Sequence, residues 1–81
     1  MAYSIRPLTS FEKPFAKLSR DDQRRITEKI EYVAAHPEVI GSPMTNLPPN
    51  LHGLHKVRAG DWRIFFWVDN RKGEIVLYDV D

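Results

Sequence analysis

LHGLHKVRAGDWRIFFWVD, Leu51 to Asp69, reads as a basic half-strand, a tight turn and an aromatic strand. If Ala59-Gly60 forms a two-residue loop, Arg58 pairs with Asp61, Val57 with Trp62 and Lys56 with Arg63. Directly opposed residues share a face, as do residues two apart in one strand. Lys56, Arg58 and Arg63 then stand together on one face of a sheet. Clustering like charges is destabilising, so the arrangement points to an anionic ligand. The plainer reading of Lys56 and Arg58 is a solvated basic face, with Asp61 neutralising Arg58 across the hairpin. Arg63 is harder to dismiss, because it sits in the apolar run Trp62 to Val68, where a charge is costly unless paired or facing an open surface. Along the same strand, Ile64, Phe66 and Val68 share the face that packs under helices, and Phe65 and Trp67 share the Arg63 face. Two readings of that aromatic strip stand open: burial by the linker or a neighbouring loop, or an apolar patch that a partner covers.

Working outward, Ala2 to Arg6 predicts a short strand with Tyr3 and Ile5 on one face, ended by Pro7. Thr9 or Ser10 caps a helix with Phe11, Phe15 and Leu18 as its apolar stripe. Ser10 is preferred, because it leaves Pro14 in the first turn, where the missing N–H has no partner to lose. Ser19 starts a second helix with Asp21 and Asp22 near its positive end. Ile26, Ile30, Val33 and Ala34 give it helical spacing, and it stops before His36-Pro37. Residues 36–50 form a linker that Val39, Ile40, Met44 and Leu47 should pin to the core. Strands follow near 53–58, 61–69 and 74–80, with Asn70 to Gly73 as the second hairpin turn. The order β-α-α-β-β-β predicts an α+β domain, its two N-terminal helices packed on one face of a small, mainly antiparallel four-stranded sheet.

With 81 residues, the chain forms a single domain over 1–81, and its 42% hydrophobic content suffices for a compact core. Cysteine is absent, which removes disulfides and thiolate chemistry. No apolar run approaches the roughly 18 residues of a membrane span, and Met-Ala-Tyr-Ser does not open a signal peptide, so a cytoplasmic location is expected. The net charge is +1, so any nucleic-acid argument rests on where the cations sit. His52 and His55, three apart on an extended strand, point to opposite faces and cannot readily chelate one ion, with or without His36. No metal, cofactor, membrane or small-molecule substrate is expected.

Leu51-His52-Gly53-Leu54-His55-Lys56-Val57-Arg58-Ala59-Gly60-Asp61-Trp62-Arg63-Ile64 is similar to the core "L-x-G-L-x-x-x-R-x-G-D-Y/W-R-I/V" of the RelE/ParE toxin superfamily of bacterial toxin–antitoxin pairs. Nearly the whole chain resembles RelE-type ribosome-dependent mRNA endonucleases. That resemblance implies a metal-independent ribonuclease acting on A-site mRNA in the ribosome, neutralised by a cognate antitoxin. By motif position Arg63 matches the arginine that contacts the scissile phosphate, and Lys56 and Arg58 match the preceding basic strand. The chemistry suits these residues: cleavage by the RNA's own 2′-OH needs a base, stabilisation of phosphorane charge and a proton for the leaving oxygen. Arginine supplies a permanently charged planar fork for phosphate. A lysine between two arginines has its charged form disfavoured, which would fit a base. Arg25 and Lys29, a like-charge i,i+4 pair on the second helix, are further RNA-binding candidates. Phe65 and Trp67 are the candidate antitoxin contacts.

Family members usually continue past the last strand with a His-Arg or Lys-Arg pair and a tyrosine, and Asp81 stands just before that segment. The resemblance therefore predicts a weakly active or inactive polypeptide, either a truncated toxin or a natural variant. Two alternatives stay open beside the endonuclease: a ParE-like DNA gyrase inhibitor, and a non-catalytic remnant that binds only an antitoxin.

Overall fold

The elements of the computed structural model, which describes residues 2–81, run β1 (Ser4–Pro7), α1 (Thr9–Ala16), α2 (Arg20–Ala35), β2 (His55–Ala59), β3 (Trp62–Asp69) and β4 (Glu74–Val80). Short 3-10 turns at Pro37–Val39 and Pro49–Leu51 punctuate the linker. The sheet order is β1-β4-β3-β2, with β1 parallel to β4 and the other two pairs antiparallel. This is the expected α+β class and element order. β1 lies two residues nearer the helices at its start than expected, and it includes Pro7, which an edge strand tolerates because it can spare the N–H.

Helix α2 forms as its spacing predicts. The Ser19 hydroxyl accepts the Asp22 N–H at 3.1 Å, Asp21 and Asp22 sit in the first turn, and Ile26, Ile30, Val33 and Ala34 are all buried. Helix α1 departs from expectation. Its N-cap is Leu8 with no side-chain cap, so neither Thr9 nor Ser10 caps it. Ser10 instead donates its hydroxyl to the Tyr78 carbonyl on β4. Pro14 is consequently the sixth helical residue rather than part of the first turn. It forfeits one helical hydrogen bond, and the helix ends two residues later. Phe11 is buried and stacks on Phe15 with centroids 5.2 Å apart.

Between helices and sheet lies one core, in which Phe11, Ile26, Ile30, Val33, Ile64, Phe66, Ile75, Leu77 and Val80 are buried together. Leu77 and Val80 share this face although three apart, because β4 carries a bulge: Phe65 faces Asp79 but Phe66 faces Leu77. The extra residue is Tyr78. Of the linker residues expected to pin to the core, Ile40 packs against it. Met44 and Leu47 are half-buried, and the Met44 N–H bonds the Leu54 carbonyl at 2.9 Å. Val39 does not pin the linker; it is 48% exposed, turned outward by the 3-10 turn that Pro37 starts. The 70–73 turn forms as expected, with Asp69 accepting the Arg71 and Lys72 N–H groups and Gly73 at φ +62. No helix among the described residues is long and apolar enough to cross a membrane.

Candidate functional site

The hairpin closes one residue later than expected. Ala59 pairs with Trp62 and Arg58 with Arg63, so the loop is Gly60-Asp61. Gly60 has φ +63 while Asp61 does not take a positive φ, the pattern of a loop with glycine in its first position. The pairing of Arg58 with Asp61 and of Lys56 with Arg63 is therefore corrected: Lys56 faces Phe65. Because each strand pair slips by an even number in total, the faces survive the change. Lys56, Arg58 and Arg63 still share one face, opposite the helices. What changes is the middle of the cluster, since Arg58, not Lys56, is the residue flanked by two cations.

Arg63 exchanges both backbone bonds with Asp81, at 2.7 and 2.9 Å. Its N–H and C=O therefore point toward β4, and its pair with Arg58 is the non-hydrogen-bonded kind, in which facing side chains come closest. Two guanidinium groups are thus brought together by the ladder itself. All three cations are exposed and line an open depression of about 710 Å³ with Asp22, Asp61, Trp62 and Asp81. The three carboxylates equal the cations in number, but only one of these cations is within ion-pair distance of an acid among the described residues: Arg63 Nη2 lies 3.0 Å from Asp81 Oδ2. The expected neutralisation of Arg58 by Asp61 does not form, and Arg58 Nη2 instead reaches the Gly60 carbonyl at 3.5 Å. With side chains 51% and 67% exposed, the Arg63–Asp81 pair contributes only about 0–1 kcal/mol. A phosphate offers the guanidinium a stronger, two-pronged partner and can displace it.

The two helical candidates separate. Arg25 borders the hairpin: a Cβ built on Gly60 would stand 3.2 Å from its Cδ and Nη1. Lys29 turns along α2 instead, its Nζ 6.0 Å from the Tyr32 ring. Gly60→Ala should accordingly cost about 1–2 kcal/mol, mainly from the left-handed backbone, since the Arg25 side chain can move aside. Urea unfolding reads this directly; an unchanged midpoint would mean the loop can be rebuilt without glycine.

Phe65 and Trp67 are both half-buried on the face of the cations. The Trp67 indole N–H donates to the His52 carbonyl at 3.0 Å, and Gly53 approaches the same ring. Leu54 and Val76 are also buried yet stand outside the helix-side cluster. The loop therefore covers one end of the strip and leaves the other open, a mixture of the two readings. His52 and His55 are used separately: His55 stacks on Phe66, centroids 5.4 Å apart and planes within 15°. Burial holds the His55 pKa below 6.5 by penalising its charged form. The unfolded chain then binds the proton more readily, so stability present above the ordinary histidine value falls as pH drops through it toward the lower folded value. Between pH 7.5 and 5.5 the wild type should lose more stability than His55→Gln; equal losses would contradict a desolvated His55.

Sequence reasoning missed two residues here. Asp81 reaches Arg63 only through the β3–β4 register. Asp22 was accounted for as a helix-dipole residue, and nothing local places it in the depression.

The sequence matches no protein-family model and no curated protein. Among solved structures the chain is similar to the RelBE2 toxin–antitoxin complex from Mycobacterium tuberculosis, with a TM-score of 0.83 and 23% identity over 100% of this chain and 91% of that one. It is also similar to the intact RelBE toxin–antitoxin complex of E. coli, with a TM-score of 0.77 and 18% identity over 98% of this chain and 94% of that one. The archaeal RelE–RelB complex from Pyrococcus horikoshii OT3 gives a TM-score of 0.74 and 18% identity over 100% and 94%. At such identities the likeness is one of architecture: the chain has the RelE toxin fold.

Proposed function

We propose that this chain, built on the RelE fold, is the toxin of a bacterial toxin–antitoxin pair and a ribosome-dependent mRNA endonuclease. The observation that carries the reading is the convergence of Lys56, Arg58 and Arg63 on one open face, where, among the described residues, only Arg63 is ion-paired, to the exchangeable Asp81. Like charges held together by a strand ladder are kept at a cost, and a phosphodiester relieves it. In the proposed reaction the RNA 2′-oxygen attacks the adjacent phosphorus as its proton passes to solvent water, a 2′,3′-cyclic phosphate forms, and the P–O5′ bond breaks as the 5′-oxygen takes a proton from water. Arg63 and Arg58 hold the phosphate oxygens as charge builds on them, and Lys56 adds a third positive charge beside them. Arg25, at the hairpin tip, would meet the flanking RNA backbone, and Lys29 would contribute only long-range attraction.

The neighbouring RelBE structures are toxin–antitoxin complexes, which supports a cognate antitoxin as partner. Phe65 and Trp67 are the surface we assign to it, so that a bound antitoxin covers the face RNA needs. Ribosomal mRNA as substrate places the protein in the cytoplasm. Toeprinting on purified translating ribosomes tests the reading: new stops at A-site codons are expected, and naked mRNA should be cut far less. Inhibition of gyrase supercoiling with no toeprint would replace it with a ParE-like activity.

A further inference from the structure

Leu77 faces the helices, so strict alternation along β4 would turn Asp79 and Asp81 toward the core and Val80 toward the open face. The bulge reverses this for everything after Tyr78. Phe66 faces Leu77 but Phe65 faces Asp79, so Val80 comes opposite Ile64 in the core and Asp81 opposite Arg63 on the cation side. Bulges are concentrated where a side chain must be re-aimed near a working site. This one is held in place by two side chains. The Ser10 hydroxyl donates to the Tyr78 carbonyl, and the Asp79 carboxylate accepts the Val80 N–H at 2.8 Å. Burial of Val80 accounts for the bulge itself but asks nothing of the next side chain, which is 67% exposed. That side chain nevertheless sits on the clamp. Asp81 Oδ2 accepts Arg63 Nη2 at 3.0 Å, and the two backbone bonds between these residues keep the carboxylate at the guanidinium. Carboxylate and phosphate oxygens use the same N–H fork, so they compete for it.

We infer that Asp81 is an internal stand-in for phosphate, a specificity-determining residue that holds Arg63 until an RNA strand replaces it. The inference deepens the RNA-binding role proposed above and rests on it. Three cations and three carboxylates line the depression, so its formal charge is zero and its long-range pull on a free polyanion is weak. Of the three acids, Asp81 alone is ion-paired to one of these cations among the described residues. A free strand must displace it with its own affinity. A strand already held on the ribosome arrives at a high effective concentration, and the same penalty leaves it bound. Asp81 thereby favours the held strand over the free one.

The experiment titrates a short single-stranded RNA, methylated at its 2′-oxygens to prevent cleavage, across a range of salt. The proteins are the wild type, Asp81→Asn, Asp61→Asn, Arg63→Ala and the Arg63→Ala/Asp81→Asn double variant. Asp81→Asn should bind about 3- to 10-fold tighter, through loss of one exposed ion pair and of one charge that repels the phosphate. It should also steepen the slope of log K against log salt by up to about 0.7, because Arg63 then meets the phosphate without first leaving an internal partner. Asp61→Asn removes the same charge from the same depression but frees no cation. It should tighten binding by about 2-fold or less and leave the slope unchanged. In the Arg63→Ala background Asp81→Asn should lose its effect on the slope. Thermal melts confirm that the variants are folded. Wild-type affinity and slope in Asp81→Asn overturn the stand-in and leave the phosphate clamp standing. Equal tightening by Asp81→Asn and Asp61→Asn, with or without Arg63, also overturns it and reduces Asp81 to general repulsion. Absence of RNA binding by every protein overturns the RNA-binding role and the inference with it.

Discussion

Arg63→Ala is expected to lower mRNA cleavage by about 10²–10³-fold, the usual loss for one preorganised group that stabilises transition-state charge. The fold should barely notice. The Arg63 side chain is half exposed, it pairs with Asp81 at 3.0 Å, and a pair so open to water contributes at most about 1 kcal/mol. The backbone bonds to Asp81 do not depend on the side chain. Arg63→Lys separates charge from geometry: it keeps the cation but loses the fork, and should recover only part of the rate. Single-turnover cleavage on programmed ribosomes, with a melt of each variant, reads both quantities. Full activity in Arg63→Ala would remove the residue from the chemistry.

Phe66→Ala is expected to cost about 3–5 kcal/mol, the largest stability loss at any single position on β3. Phe66 is 2% exposed at the centre of the helix–sheet core, and His55 stacks on it. A domain of this size has about 4–12 kcal/mol in total at ordinary values per residue, so most of the margin goes with one ring. The melting temperature should fall by about 12 °C or more. Phe65→Ala, one residue away on the open face, should cost only about 1 kcal/mol. Calorimetry on the two variants therefore tests which face of β3 is the core. Similar losses at both positions would mean that the two faces are equally buried.

The faces of the sheet were legible in the sequence because side chains alternate with period two, and an even slip in register cannot exchange them. The register itself depended on which loop residue takes the positive φ. Glycine at the first loop position, Gly60 before Asp61, carried that signal, but Ala59-Gly60 competes with it on composition alone. Ser19 was legible as a cap because it acts within its own helix. Ser10 was not, because its hydroxyl is spent on Tyr78, 68 residues away. The same long-range pairing hid the bulge. Alternation with Leu77 puts Tyr78 on the cation face, but without the bulge nothing indicates that Asp81 meets Arg63. The cluster of Lys56, Arg58 and Arg63 was thus readable from local pattern, whereas its acidic partner belongs to strand pairing.

The salt dependence of RNA binding tests the phosphate clamp most directly. Dissociation constants for a short single-stranded RNA should be measured across a range of salt for the wild type and for Lys56→Ala, Arg58→Ala and Arg63→Ala. Each substitution that removes one phosphate contact should reduce the slope of log K against log salt by about 0.7. Arg58→Ala should show this fully, since among the described residues Arg58 is in no salt bridge that would have to be released. Slopes that match the wild type in all three variants would show that these cations meet no phosphate, and would contradict the account.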